Sequence, residues 1–242
     1  MSKTRRSGTA ILEVEPETVA GITGWRDRSA AAEVRFLGRS PDGGRGAVLE
    51  PAWVGESRSQ ARMRQVHGAS VLAAEEGLCG EGDAIVTTDP GLALMVVTAD
   101  CVPILVAAGD RVAAIHAGWR GLVAGVIPAT LEKFAAPDRL TAWIGPAIGA
   151  CCYEVGEDVA GAVVARSSDA VLSTGRRGRP HLDLALAAEI ELARCGVGEI
   201  RRLALCTACH PGTLESYRRE GAAAGRNRSL IWLRAGAPDQ ER

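Results

Sequence analysis

Three residues stand where strands are expected to end, and their types make a metal-ligand set. They are His67 in Arg64-Gln65-Val66-His67-Gly68, Cys101 in Thr98-Ala99-Asp100-Cys101-Val102-Pro103, and His116 in Ile115-His116-Ala117-Gly118-Trp119-Arg120-Gly121. Two imidazoles and a thiolate suit a zinc ion that keeps its fourth position open for water or substrate. The same groups also compose a metal-free pair, in which Cys101 attacks a carbonyl and His116 or His67 activates it. A third reading is an inert cysteine near unrelated histidines, and spacing alone leaves all three open.

Other side chains extend this set. Asp83 and Asp100 follow or interrupt apolar runs, where a carboxylate orients a ligand histidine or caps a turn. Arg120 and Arg218 follow glycine- and cysteine-bearing turns and are candidates to hold a phosphate or carboxylate through paired hydrogen bonds. Cys206-Thr207-Ala208-Cys209-His210 matches the pattern of covalent haem attachment, which requires export. A zinc or redox pair at Cys206 and Cys209 competes with two unrelated cysteines. Cys151 and Cys152 read as small buried residues.

The elements that must position these groups are mostly strands. Residues 83–88 read as a short strand, Leu92 to Val97 as a strand buried on both faces, and Pro103 to Ala107 as its continuation past Asp100-Cys101. Val112 to Ile115 delivers His116. A helical pattern covers Leu122 to Phe134, with Pro128 predicting a kink or a late start. Leu140–Ile144, Ile200–Leu205 and Leu230–Leu233 read as strands, and Val155–Arg166 and Leu184–Cys195 as helices. Ser173 to Pro180 is expected to be a surface loop, and the segment up to about Gly46 is the least legible. One mixed α/β domain over 1–242 is the economical architecture.

Composition narrows the function classes. A length of 242 residues, 47% hydrophobic and 24% charged, is ordinary for a soluble globular chain. The net charge of -1 argues against wholesale nucleic-acid binding. The apolar stretch Leu92 to Ala108 is cut by Asp100 and is too short to span a bilayer. No secretory pattern follows the basic start, and seven cysteines suggest no disulfide framework, so a reducing cytoplasm is expected.

With these residues in view, the chain resembles the YfiH family, also called the laccase-domain or multicopper polyphenol oxidase-like family. The matching strings are Gln65-Val66-His67-Gly68, Thr98 to Pro103, His116 to Gly121, Trp143-Ile144-Gly145-Pro146-Ala147-Ile148-Gly149, Glu154-Val155-Gly156, Cys206-Thr207, Ser216-Tyr217-Arg218-Arg219 and Gly225-Arg226. The resemblance implies a layered α/β sandwich similar to cysteine-hydrolase folds, with zinc held by His67, Cys101 and His116. It also implies phosphorolysis of adenosine, inosine or guanosine and hydrolytic deamination of adenosine, with purine nucleoside and phosphate as substrates. Copper-dependent phenol oxidation and peptidoglycan-precursor editing are the family's other associations; the different-class alternative from the residues themselves is a metal-free cysteine amidohydrolase in which Cys101 forms an acyl intermediate. Copper is disfavoured, because a multicopper centre needs many histidines and this chain has four.

Residues 1–64 depart from the family pattern. The chain carries Ile22-Thr23-Gly24-Trp25-Arg26-Asp27 where a Thr-Thr-Arg-x-Gly-Gly-like stretch is usual, and Phe36-Leu37-Gly38 in place of an Asn-Leu-Gly turn. Leu214-Glu215 replaces an aromatic pair before Ser216. The ligand set is intact, while the walls around the substrate are expected to differ.

Overall fold

The apolar run from Leu92 to Ala108 forms two consecutive strands that lie in different sheets, and this crossing organises the molecule. The computed structural model describes residues 9–44, 51–54 and 58–234; the basic start of the chain lies outside the described residues. The first eight strands are β1 (Thr9–Ile11), β2 (Glu17–Val19), β3 (Ile22–Arg28), β4 (Ala32–Leu37), β5 (Ser59–Arg64), β6 (Val71–Ala73), β7 (Gly77–Glu81) and β8 (Ala84–Thr87). They are followed by β9 (Leu92–Thr98), β10 (Val102–Ala108), β11 (Arg111–Ala117), β12 (Thr141–Ile144), β13 (Leu172–Thr174), β14 (Pro180–Leu182), β15 (Glu199–Arg202) and β16 (Asn227–Leu233). The helices are α1 (Pro51–Val54), α2 (Trp119–Ala124), α3 (Val126–Leu131), α4 (Glu157–Arg166), α5 (Leu184–Arg194) and α6 (Tyr217–Glu220).

One seven-stranded mixed sheet runs β1-β15-β12-β10-β11-β8-β6, and a second runs β2-β3-β4-β16-β9-β5-β7. The period-2 geometry of a strand sorts the side chains of each. Along β10, Ile104 and Val106 enter a core with α2, α3, α4 and α5, whereas Leu105 and Ala107 face the other sheet. Along β9, Leu92, Leu94 and Val96 join that inter-sheet core, while Ala93 and Met95 pack outward with Trp53 and Val54 of α1. Burial on both faces explains the unbroken apolar runs. The observed architecture is the expected α/β sandwich, with helices over the outer face of the first sheet.

Several expected boundaries move. The helical pattern 122–134 is two helices divided at Gly125, whose φ of 85° leaves the helical region. Pro128 falls in the first turn of α3, where a missing N–H costs nothing. The Ser173–Pro180 loop is instead the hairpin β13–β14, closed around Gly178 at φ 73°. The helix expected from Val155 starts at Glu157, because the Val155 N–H is bonded to the Pro180 carbonyl. Strand β15 ends at Arg202, opposite Ile144, where Gly145-Pro146 ends its partner β12. The poorly legible N-terminal segment contributes β2, β3 and β4 to one edge of the second sheet. No helix among the described residues is long and apolar enough to cross a membrane.

Candidate active site and metal centre

His67, Cys101 and His116 meet at the rim where the two sheets exchange chain. His67 follows β5 of the second sheet, and His116 lies near the end of β11 in the first. Cys101 sits in the link from β9 to β10, which passes from one sheet to the other. Along β11, His116 alternates with Val112 and Ala114, so it shares their face toward the inter-sheet space. The donor atoms of the three residues lie within 4.8 Å of one another. Cys101 Sγ is 3.9 Å from His67 Nε2, and the two imidazoles stand edge to face with centroids 4.8 Å apart.

Asp83 holds both histidines. Its carboxylate is fully buried and accepts the His116 Nδ1 proton at 2.8 Å. It also accepts backbone N–H groups from His67 at 2.9 Å, Gly68 at 2.6 Å and Val66 at 3.3 Å. Those bonds secure a turn in which His67 adopts φ 63°, a left-handed conformation that a branched-free side chain tolerates only with support. With Nδ1 committed to Asp83, Nε2 of His116 is the nitrogen left for Cys101 or a metal. Gln65 fixes the approach: its side-chain amide donates to the Val97 carbonyl at 2.7 Å and accepts from the Val97 N–H at 2.9 Å. The side chain thereby extends the ladder between β5 and β9.

Of the two roles open to Asp100, orienting a ligand histidine or capping a turn, it takes the second. Its carboxylate accepts from Thr207 Oγ1 and from the Arg218 N–H, each at 2.6 Å. Those bonds stabilise its own φ of 93° and dock the start of α6 beside Cys101. Gly118 completes the enclosure, since a Cβ there would stand 3.0 Å from Cys101 Sγ and 3.1 Å from His67 Cδ2.

Charges in the site are mutually supportive. Burial works against ionising the Cys101 thiol, yet its interactions with His116 and His67 outweigh that and bring its pKa down to about 7. Burial likewise disfavours charge on His116, but Asp83 and Cys101 push its pKa up to about 9. Asp83 is buried too, and the His116 ring with the Gly68 and His67 N–H groups holds its carboxyl below the usual range.

The expected arginines take distinct places. Arg120, in the first turn of α2, is exposed and lies over the Trp119 ring at 4.5 Å. Arg218 donates to the Cys152 carbonyl at 3.2 Å and lies over the Tyr153 ring at 5.2 Å. Tyr153 was missed in the sequence. Burial pushes its phenol up to about 12, with Cys101 and Asp100 adding to that shift and Arg218 and Arg120 opposing it. Its signal was a lone aromatic between the Cys151-Cys152 pair and Glu154-Val155-Gly156. A second group of potential ligands, Cys151, Cys152, Cys206 and Cys209, also converges.

Residues 47–234 match the family model described as multi-copper polyphenol oxidoreductase laccase. The chain belongs to this laccase-domain, or YfiH, family. A purine nucleoside phosphorylase of Pseudomonas aeruginosa is 40% identical, covering 71% of this chain and 73% of its own. The purine nucleoside phosphorylase YfiH of Escherichia coli is 41% identical, covering 71% and 72%. A Neisseria meningitidis protein of known structure superposes with a TM-score of 0.74 at 30% identity, over 87% of this chain and 98% of its own. YlmD from Geobacillus stearothermophilus gives 0.79 at 23% identity over 92% and 99%, a likeness that bears on the fold alone.

The laccase-domain name implies copper, and the donor set tests it. All four histidines of the chain are described, and only His67 and His116 bring a ring nitrogen into the donor cluster with Cys101. A multicopper cluster needs more. Zinc fits: ligand bonds of about 2.1 to 2.3 Å place tetrahedral donors roughly 3.5 to 3.8 Å apart. The 3.9 Å between Cys101 Sγ and His67 Nε2 is within easy adjustment of that.

Proposed function

We propose that this chain is a zinc-dependent purine nucleoside phosphorylase, acting on adenosine, inosine or guanosine, that also deaminates adenosine hydrolytically. The observation that carries the reading is the open His67/Cys101/His116 donor set with both histidines anchored on one buried carboxylate. The relatives named purine nucleoside phosphorylase support it at about 40% identity. When bound, zinc supplies Lewis-acid polarisation of the substrate atom facing it. Everything else falls to the chain. In phosphorolysis a phosphate oxygen bonds to the ribose anomeric carbon as the bond to the purine nitrogen breaks, and the departing base takes up a proton. Arg218, with Arg120 on the same rim, neutralises phosphate charge as it redistributes. The Tyr153 ring offers an apolar face to the purine, and its phenol stays protonated at neutral pH as a hydrogen-bond donor. Deamination instead adds water at the purine C6 and releases ammonia.

The test is product chromatography with adenosine, with and without phosphate, on zinc-loaded wild type and His116→Ala. Adenine with ribose 1-phosphate should form only with phosphate, and inosine in either case; both should fall more than about 100-fold in the variant. Unchanged phosphorolysis by zinc-stripped His116→Ala would sink the reading. A metal-free cysteine hydrolase is the second reading, favoured by the depressed Cys101 thiol beside a raised His116. A covalent substrate adduct on Cys101, formed during turnover in chelator, would select it.

A further inference from the structure

Four cysteines that belong to no catalytic step form the other concentrated donor cluster among the described residues. Cys151 and Cys152 lie on the loop after β12, and Cys206 and Cys209 on the loop after β15. Their four sulfur atoms lie within 4.8 Å of one another, and all four are free thiols. Cys209 Sγ is 3.5 Å from Cys152 Sγ and 3.6 Å from Cys151 Sγ. It is thus nearly equidistant from two partners, an arrangement that selects no single disulfide. A tetrahedral zinc with four bonds of about 2.3 Å has sulfur–sulfur edges of roughly 3.8 Å. The observed pairs are close to those edges.

The backbone around the cluster fixes the Cys206 and Cys209 turn and points one N–H at a sulfur. Cys206-Thr207-Ala208-Cys209 is a tight turn, closed by the Cys209 N–H on the Cys206 carbonyl at 3.2 Å and braced by His210 Nδ1 on that same carbonyl at 2.8 Å. The turn sets two sulfurs on one side. The Gly149 N–H points at Cys206 Sγ from 3.3 Å, a bond that favours the ionised sulfur a metal requires. Gly149 also lies close to the sulfurs: a Cβ there would sit 3.3 Å from Cys151 Sγ, a tight approach, and 3.6 Å from Cys206 Sγ. The two loops are already aligned by a bridge between Ala147 and Cys206, so ordering the four ligands costs little extra chain entropy.

We propose that Cys151, Cys152, Cys206 and Cys209 bind a structural zinc ion of their own, separate from the His67/Cys101/His116 site. The class of ligand follows from the donors. Four soft thiolates in a compact tetrahedron select a borderline-soft cation, and four protein ligands leave no position for substrate. Cys151 and Cys209 are exposed, so the ion loads without unfolding. Its location gives it a use. The Cys152 carbonyl receives Arg218, Tyr153 is the next residue, and Thr207 within the turn bonds Asp100 beside Cys101. Arg219 donates to the carbonyls of Thr207 and Ala208. One ion would therefore join the loop bearing Tyr153 to the loop that docks Arg218.

The experiment uses the full chain carrying Cys101→Ser, which dismantles the other site. After incubation with zinc chloride and desalting, one zinc per chain should remain, with an absorption-edge fine structure fitting sulfur alone at about 2.3 Å. Adding Cys209→Ser, or separately the exposed Cys151→Ser, should release it while circular dichroism stays native. Nitrogen or oxygen in the shell, iron in place of zinc, or a Cys101→Ser protein with no zinc would overturn the proposal. So would mass-mapped alkylation showing two of the four cysteines joined. If the wild type holds one zinc with the same all-sulfur shell, the catalytic-zinc reading fails and the structural site stands.

Discussion

The two donor clusters of this chain are made differently, and the contrast sets a mixed three-donor group against a uniform four-donor one. The His67/Cys101/His116 group is drawn from the ends of three strands in two sheets, is mixed in donor type, and rests on a buried carboxylate. The four-cysteine group comes from two neighbouring loops, is uniform, and is aligned by backbone bonds. Three donors with a polar support leave room for a substrate, whereas four equal donors close the shell. The support is the larger investment: Asp83 is fully buried and serves four hydrogen-bond donors.

That difference is easiest to break at Asp83. Asp83→Asn leaves His116 and the His67 turn with an amide in place of the carboxylate, and should lower stability by about 3 kcal/mol and metal affinity at the triad by about 10- to 100-fold. Denaturant unfolding and zinc titration measure the two, and the four-cysteine cluster should keep its metal. An unchanged unfolding midpoint would show that Asp83 is not the keystone.

Metal-free protein sharpens the contrast through pH. Cys101 has its pKa lowered to about 7, so its thiolate is present above pH 7, whereas Cys151, exposed on one side, is pushed up to about 11 by partial loss of solvent and by the Cys206 and Cys209 thiols packed against it. Alkylation at pH 8 should therefore label Cys101 well before Cys151, and the Cys101 rate should rise through a midpoint near 7. In His116→Ala that midpoint should move toward the ordinary thiol value. Equal labelling of both cysteines would contradict the ion-pair picture. For stability the signs differ between the partners. His116, raised to about 9, contributes stability that is complete below 6.5 and lost as pH climbs through 9; Cys101, depressed to about 7, contributes stability gained between 7 and 9. The two offset, so metal-free wild type should show a nearly flat stability from pH 7 to 9.

Smaller effects probe the walls. Gly118→Ala has no backbone penalty at φ -75°, but its Cβ presses Cys101 Sγ and His67 within 3.1 Å. Zinc affinity at the triad should fall roughly 10-fold with the fold intact; equal affinity would mean the pocket yields freely. Gln65→Ala removes both bonds to Val97 and should cost about 1 to 2 kcal/mol, read by thermal unfolding.

Much of the site was legible because its residues punctuate apolar strands. His67, Cys101 and His116 interrupt or end runs whose strand character follows from period and β-branching, and Asp83 stood in the same kind of position. Tyr153 and the meeting of the cysteine pairs were not legible, since loops 149–153 and 206–210 are brought together by the pairing of β12 with β15, more than fifty residues apart. The hairpin at 172–182 was masked by its Gly-Arg-rich turn, and the N-terminal strands by their short, alternating apolar content.

By itself, then, the sequence determined the donor types, the buried strands and the family strings, because these depend on local pattern and side-chain chemistry. The tertiary structure alone decided that Asp83 serves both histidines while Asp100 serves Thr207 and Arg218, and that four scattered thiols share one corner. Those outcomes hang on sheet order and register, which no short-range spacing encodes.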